Sequence, residues 1–207
     1  MRTFPLPIIG RLAITIAVVA LIGLVFIALF FSVGGPFGTL NDVCVALTAM
    51  LSGGLVRVLY PTHRSYAPRL SRVALGTGLV GACLAAVGSG LVIFNVTGWF
   101  LAGLVTTFGY ALIGLWLLGF NYSALRRLAF PRRLALFGIA AGGITAIGVL
   151  AGPGILARTD AMDSAQWFVS ASMYAGGLGW NILYAIWCMW LGRLLLSNRL
   201  DLHPQAG

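Results

Sequence analysis

Side chains that could do chemistry are scarce in this sequence, and most lie outside its apolar stretches. Of its 207 residues, 13 are Arg and four are Asp, while Lys and Glu do not occur. Asn181 is the exception, because it falls near the middle of the last apolar stretch. An amide in hydrocarbon needs a hydrogen-bond partner. Asn181 is expected to bridge two helices, and its candidate partners on the fourth stretch are Thr106, Thr107 and Tyr110. The alternative is a ligand site that Asn181 lines together with Tyr174 and Tyr184.

A second polar group opens another apolar stretch. Asn41 and Asp42 stand at its start, where Asn can cap a helix and an acidic side chain favours the helix N-terminus. Arg57 stands near its other end and can extend towards lipid headgroups. About 15 helical residues, or roughly 22 Å, separate Asp42 from Arg57, so the two charges cannot pair. We expect anchoring at the helix ends, with an outer-face polar site at Asn41 and Asp42 as the alternative.

The residues needed for catalysis, metals and prosthetic groups are missing from the apolar stretches. Neither His63 nor His203 lies inside one, so a membrane-embedded haem has no histidine ligand. Cys44, Cys83 and Cys188 are far apart in the chain and are expected to be small apolar side chains without disulfides. There is no GxSxG motif, and Glu, a common acid–base catalyst, is absent. The sequence therefore predicts no catalytic residue, no metal and no cofactor.

The net charge of +9 comes from arginines that flank the apolar stretches. The densest group surrounds Pro131 and consists of Arg126, Arg127, Arg132 and Arg133. Arginines beside helix ends set membrane topology and attract anionic headgroups. This group is interpreted either as a lipid-headgroup site or as a topological signal alone, and no nucleic-acid partner is expected.

The composition shows which kind of fold holds these residues in place. Sixty per cent of the chain is hydrophobic and 8% is charged, whereas a soluble domain carries about 25% charged residues. The apolar residues do not alternate with polar ones, which excludes barrel strands. Six stretches are close to the roughly 20 residues that a membrane-spanning helix needs. They cover 12–31, 41–59, 73–94, 99–120, 134–150 and 166–191, and they predict one all-α, polytopic transmembrane bundle over 1–207.

The arginines also predict how the chain is threaded. With both termini in the cytoplasm, 12 of the 13 lie on the cytoplasmic side, and Arg158 is the exception. We therefore expect a multi-pass protein of the inner (plasma) membrane. Tryptophans near the stretch ends fit interfacial belts, with Trp99 and Trp167 on the outer side and Trp187 and Trp190 on the inner side.

Small residues recur at helical spacing in the third and fifth stretches. Such residues let helix backbones approach closely in lipid. Ordinary bundle packing is the expected role, and a groove or sliding interface is the alternative. The third stretch carries Ala74, Gly78, Ala82, Ala86 and Gly90, and the fifth carries Gly138, Gly142 and Ala146.

Four segments resemble a family of bacterial six-helix integral membrane proteins that carry a domain of unknown function and are common in Chloroflexota and Actinobacteria. They are Phe37-Gly38-xx-Asn41-Asp42, Leu70-Ser71-Arg72-xx-Leu75, Phe130-Pro131-Arg132-Arg133-Leu134-Ala135-Leu136 and Tyr184-Ala185-Ile186-Trp187-xxx-Leu191-Gly192-Arg193. The likeness covers nearly the whole chain. It implies the topology and a bacterial origin, and it implies no activity.

Three functions follow from these patterns. The first is a non-catalytic accessory or structural bundle that binds membrane lipid, another membrane protein or a second copy of itself. The second is a small-solute or lipid transporter or channel with a path near helices four and six, lined by Gln166, Ser170, Tyr174 and Asn181. The third is a membrane enzyme acting on lipid substrates.

Overall fold

The computed structural model describes residues 5–128 and 130–197 and contains no strand within those ranges. Arg2, Arg199 and His203 lie outside the described residues. Within these ranges the chain forms six long helices: α1 (Leu6–Val33), α2 (Phe37–Tyr66), α3 (Pro68–Ile93), α4 (Trp99–Arg126), α5 (Arg132–Leu156) and α6 (Trp167–Leu178, Gly179–Leu183 and Tyr184–Leu196).

Helices α1–α5 are long and apolar enough to cross a membrane, which is typical of a multi-pass membrane protein. The predicted all-α bundle of six helices is confirmed. Most helices extend beyond their apolar stretches, and α2 gains the most, because it continues through Pro61 to Tyr66. Only Ala67 separates it from α3, whereas the apolar stretches had left residues 60–72 as the connection between these two helices.

Two helices change their hydrogen-bonding pattern along their length. In α5 a 3₁₀ turn over Ile147–Ala151 precedes the final segment Gly152–Leu156. In α6 a π-helical turn over Gly179–Leu183 joins the two α-helical segments. The π turn widens the helix and shifts the register of its side chains. As a result, the two halves of α6 can face different neighbours.

The helices pack in chain order, and α6 closes the bundle. Consecutive helices are neighbours, the first segment of α6 packs on α5 and α4, and its last segment packs on α1. Helix α4 carries the longest set of buried residues and is the central helix. We name the two ends by their charges. The basic end holds the ends of α2, α4 and α6, and the aspartate end holds Asp42, Asp160 and Asp163.

Close backbone contact joins α3, α4 and α5 through small residues. A β-carbon on Gly109 would lie 2.7 Å from Gly81 O, and one on Gly142 would lie 2.8 Å from Gly114 O. The small residues predicted along the third stretch pack in part as expected. Ala82 packs beside Gly53 of α2, whereas Gly90 has no atom within 4 Å of an added β-carbon. Gly81, which was not among them, faces α4, because α3 is packed on both sides, by α2 and by α4.

Candidate functional site

Buried polar side chains are concentrated where α2, α4 and α6 meet. We call this set the polar seam. Each of its members is at most 5% exposed, so the seam is isolated from solvent and lipid. The polar seam consists of Thr48, Ser52 and His63 on α2, Tyr110, Asn121 and Ser123 on α4, and Tyr184 and Trp187 on α6.

The part of the seam nearest the aspartate end is a cluster of hydroxyl groups. Tyr184 donates a hydrogen bond to Ser52 Oγ at 3.0 Å, and Ser52 donates in turn to Thr48 O at 2.7 Å. Tyr110 donates to Val45 O at 2.8 Å. Each of these bonds satisfies a hydroxyl that would otherwise be costly to bury. Two of them tie α2 to its neighbours, one from α6 and one from α4.

The middle of the seam joins α4 to α6 through an amide. Trp187 Nε1 donates to Asn121 Oδ1 at 3.1 Å, and Asn121 Nδ2 donates to Leu117 O at 2.8 Å. Gly138 of α5 makes room for this carboxamide, because an added β-carbon there would overlap it. Trp187 was expected in an interfacial belt, and this prediction is wrong, since its indole is fully buried and paired.

At the basic end the seam finishes with a histidine. His63 Nε2 lies 2.9 Å from Ser123 Oγ, and Ser123 donates its own proton to Gly119 O at 2.6 Å. Because a serine has one proton to donate, His63 Nε2 must carry the proton between them. The sequence placed His63 outside the apolar stretches, and the structure adds that α2 continues past Pro61 and buries the His63 ring to 2% exposure.

Aromatic rings fill the space between these polar pairs. Phe120 packs against Trp116, Trp187 and the His63 ring, with centroids between 5.4 and 6.2 Å apart. Tyr110 stacks on Trp180 with centroids 4.3 Å apart and planes within 8°. Ring pairs in these arrangements contribute a favourable interaction in addition to the apolar area that they bury. They therefore stabilise the packing around the seam.

The predicted intramembrane site is only partly assembled. Tyr110 and Tyr184 both belong to the polar seam, whereas Asn181 lies half-buried in the π turn of α6. The Thr107 methyl packs beside the backbone of α5 and α6, at Gly148 and Gly176. Tyr174 is 66% exposed, with its hydroxyl 3.7 Å from the Met162 sulfur.

The predicted path residues Gln166, Ser170, Tyr174 and Asn181 do not form a buried file. Gln166 and Tyr174 are exposed, and Ser170 and Asn181 are half-buried. These residues therefore lie near the surface of the bundle, whereas Ser172, Tyr184 and Trp187 of α6 are buried.

Asn41 and Asp42 lie one turn inside α2, at its aspartate end. The Asn41 amide donates to Asp42 Oδ1 at 3.3 Å. The expected N-cap at Asn41 is wrong, because α2 begins at Phe37 and Pro36 occupies the cap position. Arg57 was expected within a turn of the helix end, which is also wrong, because α2 runs on to Tyr66.

The four clustered arginines lie at the basic end, on both sides of the α4–α5 connection. Arg126 is the last residue of α4, and Arg132 and Arg133 begin α5. All four side chains are exposed, Arg127 included. The Arg126 guanidinium lies over the Tyr122 ring, 4.8 Å from its centroid. The cluster is thus exposed at the basic end of the bundle.

The sequence reasoning missed Thr48, Ser52, Asn121 and Ser123. Eleven residues separate Ser52 from His63, and Tyr110 from Asn121. Eleven residues are three helical turns, so each pair shares one helix face. That spacing could have revealed polar faces on α2 and α4. The spacing was missed because small hydroxyl residues are common in membrane helices and because His63 lies outside the apolar stretches.

The described residues contain no group of three or more His, Cys, Asp or Glu side chains that could hold a metal ion. Their three cysteines are free, with Cys44 and Cys188 buried and Cys83 exposed. Comparison of the chain with protein-family models, curated proteins and solved structures finds no match.

Proposed function

We propose that this chain is a multi-pass protein of a bacterial inner membrane, with both termini in the cytoplasm. The arginine distribution supports this orientation, because the basic end carries the arginines of α2, α4, α5 and α6. The segments of α6 contain 12, 5 and 13 residues, which span about 45 Å and suffice for a sixth crossing. The four segment likenesses support membership of the bacterial six-helix family.

Its proposed role is that of a non-catalytic accessory bundle, which acts by binding lipid or another membrane protein. One observation carries this proposal. In the polar seam, side chains that could serve a reaction or a path hydrogen-bond to one another or to helix backbone instead. Buried polar groups used in this way stabilise helix contacts in lipid. Lipid or a partner protein would then bind at the surface of the bundle.

The arginine cluster is the proposed lipid-binding surface. Arg126, Arg127, Arg132 and Arg133 are exposed at one end of adjacent helices. Each basic side chain near an anionic membrane surface contributes about 1 kcal/mol of attraction. The protein partner of the proposed role is a second integral membrane protein or a second copy of this chain.

Native mass spectrometry of the protein, extracted gently from its own membrane, tests this role. A stoichiometric second polypeptide or bound anionic phospholipid is expected. A variant with all four clustered arginines changed to Gln should lose anionic lipid, while Arg158→Gln at the other end should retain it. A lone polypeptide without lipid, or one carrying a defined small solute, would overturn the accessory role.

A second candidate function is transport of a small solute along the polar seam. It is favoured by the depth of the seam, because Thr48 and His63 are 15 residues apart on α2, or about 22 Å. Flux of protons and small neutral solutes into proteoliposomes tests it. Transport requires a flux that Tyr184→Phe abolishes and that Tyr174→Phe, at an exposed tyrosine, leaves intact. The accessory role predicts liposomes as tight as protein-free ones.

A further inference from the structure

The carboxamide of Asn181 has no hydrogen-bond partner among the described residues. The amides of Asn41 and Asn121, by contrast, both hydrogen-bond within the chain. Thr48 Oγ1 is the one unpaired polar side-chain atom that the described part of the bundle encloses. Asn181 itself is half-buried. Its unpaired amide nitrogen and oxygen are therefore reachable from the surface of the bundle.

Asn181 lies at a depth where an unpaired amide is costly. It is 14 residues from Trp167, which begins α6, and 15 residues from Leu196, which ends it. Each end of α6 is thus about 21 Å away, whereas half of a bilayer's hydrocarbon core is about 15 Å thick. Because the proposed topology makes α6 a membrane crossing, the amide faces acyl chains. An amide in hydrocarbon is strongly unfavourable without a hydrogen bond, so a partner from outside the bundle is expected.

The surface around Asn181 allows another helix to approach closely. Gly177 lies about one turn before Asn181 in α6, and an added β-carbon there would have no atom within 4 Å. Leu178 and Ile186, which precede and follow Asn181 in the chain, are exposed apolar side chains. Small residues and amides are both typical of helix contacts in lipid. We call Gly177, Leu178, Asn181 and Ile186 the Asn181 surface.

We propose that the Asn181 surface binds the same surface of a second copy of this chain. Two copies inserted in one orientation carry Asn181 at the same depth, so a twofold axis along the membrane normal brings the two side chains together. A carboxamide is self-complementary, because it has a carbonyl acceptor and two N–H donors. Each Asn181 donates one hydrogen bond to the other's Oδ1 and accepts one in return. This inference rests on the proposed function, which supplies the sixth crossing and a second copy as a partner.

A second copy satisfies the amide better than the other molecules that reach this depth. Acyl chains carry neither a donor nor an acceptor. A water molecule held inside a protein needs two to four polar partners. The other side chains of the Asn181 surface, those of Leu178 and Ile186, supply none, and Gly177 has no side chain. The amide of another copy brings the donor and the acceptor together.

Dimerisation in lipid tests the proposal. Energy transfer between donor- and acceptor-labelled copies, in vesicles of phosphatidylethanolamine and phosphatidylglycerol at decreasing protein-to-lipid ratios, gives the dimerisation constant. Asn181→Leu should weaken the dimer about tenfold, through the loss of two hydrogen bonds between helices. Asn181→Gln keeps the amide and should retain most of the affinity. Thr77→Val is the matched control and should change nothing, because Thr77 is also half-buried but its hydroxyl already donates to Val73 O of its own helix.

Mixed isotope labelling tests the amide pair itself. In vesicles containing equal amounts of ¹⁵N-labelled and ¹³C-labelled protein, solid-state NMR should show a contact between Nδ2 of Asn181 in one copy and Cγ of Asn181 in the other. Asn121 is the control and should show no such contact, because it pairs inside its own chain. A dimer without the Asn181 contact would overturn the proposal. A monomeric parent, or a dimerisation constant that Asn181→Leu leaves unchanged, would also overturn it.

Failure of this dimer and failure of the accessory role give different results. A parent that is monomeric in vesicles, but leaves its own membrane with a different polypeptide or with anionic phospholipid, would overturn the Asn181 dimer and retain the accessory role. A dimer that depends on Asn181 and carries a defined small solute would support the Asn181 contact and overturn the accessory role.

Discussion

The indole of Trp187 and the carboxamide of Asn121 form a hydrogen bond of 3.1 Å, and both side chains are fully buried between α6 and α4. Asn121 also donates to Leu117 O, and its carboxamide rests against Gly138. Three helices thus meet at one amide. This arrangement explains why a tryptophan near the end of an apolar stretch lies inside the bundle instead of in an interfacial belt.

Trp187→Phe is expected to destabilise the bundle by about 2–4 kcal/mol, because it leaves Asn121 Oδ1 without its donor and opens a cavity among packed rings. The free energy of unfolding in mixed detergent micelles would measure the loss. Trp190→Phe is the control, since Trp190 is 38% exposed and its loss should change the unfolding free energy by less than about 1 kcal/mol. Equal effects of the two variants would contradict the role of the Trp187–Asn121 pair.

Gly109→Ala is expected to destabilise the bundle strongly, by about 3 kcal/mol or more, because the new β-carbon would lie 2.8 Å from Ala85 Cα and would force α3 and α4 apart. Gly76→Ala on α3 should be neutral or stabilising by up to about 1 kcal/mol, since it has open space around it and Ala favours a helix. Unfolding free energies of both variants check this. A tolerated Gly109→Ala would show that these helices pack differently.

Asp160 is expected to stabilise the aspartate end through the first turn of α4. Its carboxylate lies against Gly98, the cap residue of α4, and accepts from Leu101 N at 3.5 Å. A negative charge at a helix N-terminus stabilises the helix by about 0.3–1 kcal/mol. Asp160→Asn should therefore speed proteolysis of the α5–α6 connection, while Asp163→Asn in the same loop should not. Identical cleavage rates would refute the role of Asp160.

The orientation of the bundle can be tested with single cysteines. In a background with Cys44, Cys83 and Cys188 changed to Ala, Asp163→Cys should react with a membrane-impermeant maleimide added to intact cells. Arg133→Cys should react only after the membrane is permeabilised. The opposite pattern would place the arginine cluster outside the cell and overturn the proposed topology, as would equal labelling of both in intact cells.

The number and order of the helices could be predicted from the sequence because hydrophobic length alone decides whether a segment can span a membrane. How deeply individual residues lie in the bundle could not be predicted in this way. Residues 60–72 lie between two apolar stretches and were expected to connect them, yet α2 continues through Pro61, which leaves the helix without the one backbone hydrogen bond that a proline cannot donate. In this extended part of α2, His63 contacts Ser123 and Phe120 of α4.

Half of the candidate site could be predicted from the sequence, and the other half could not, because it depends on contacts between helices. Tyr110 and Tyr184 were named because tyrosines near an amide suggest a site, and both are buried in the seam. Asn181 was expected at its centre, but the π turn of α6 changes the register between Tyr174 and Tyr184. No sequence pattern signals a π turn. The amide that pairs with α6 is Asn121 of α4, not Asn181. Which side chains pair in this way depends on how the helices are rotated against one another.

The central claim is that the buried polar pairs stabilise the bundle. A double-mutant cycle on Tyr184 and Ser52, using Tyr184→Phe, Ser52→Ala and the double variant, tests it most directly through unfolding free energies in a bilayer-like environment. The two side chains are 3.0 Å apart on different helices, and a favourable coupling of about 0.6 to 1.7 kcal/mol is predicted. A coupling of zero, with both single variants as stable as the parent, would contradict the claim and leave the seam free to serve as a path.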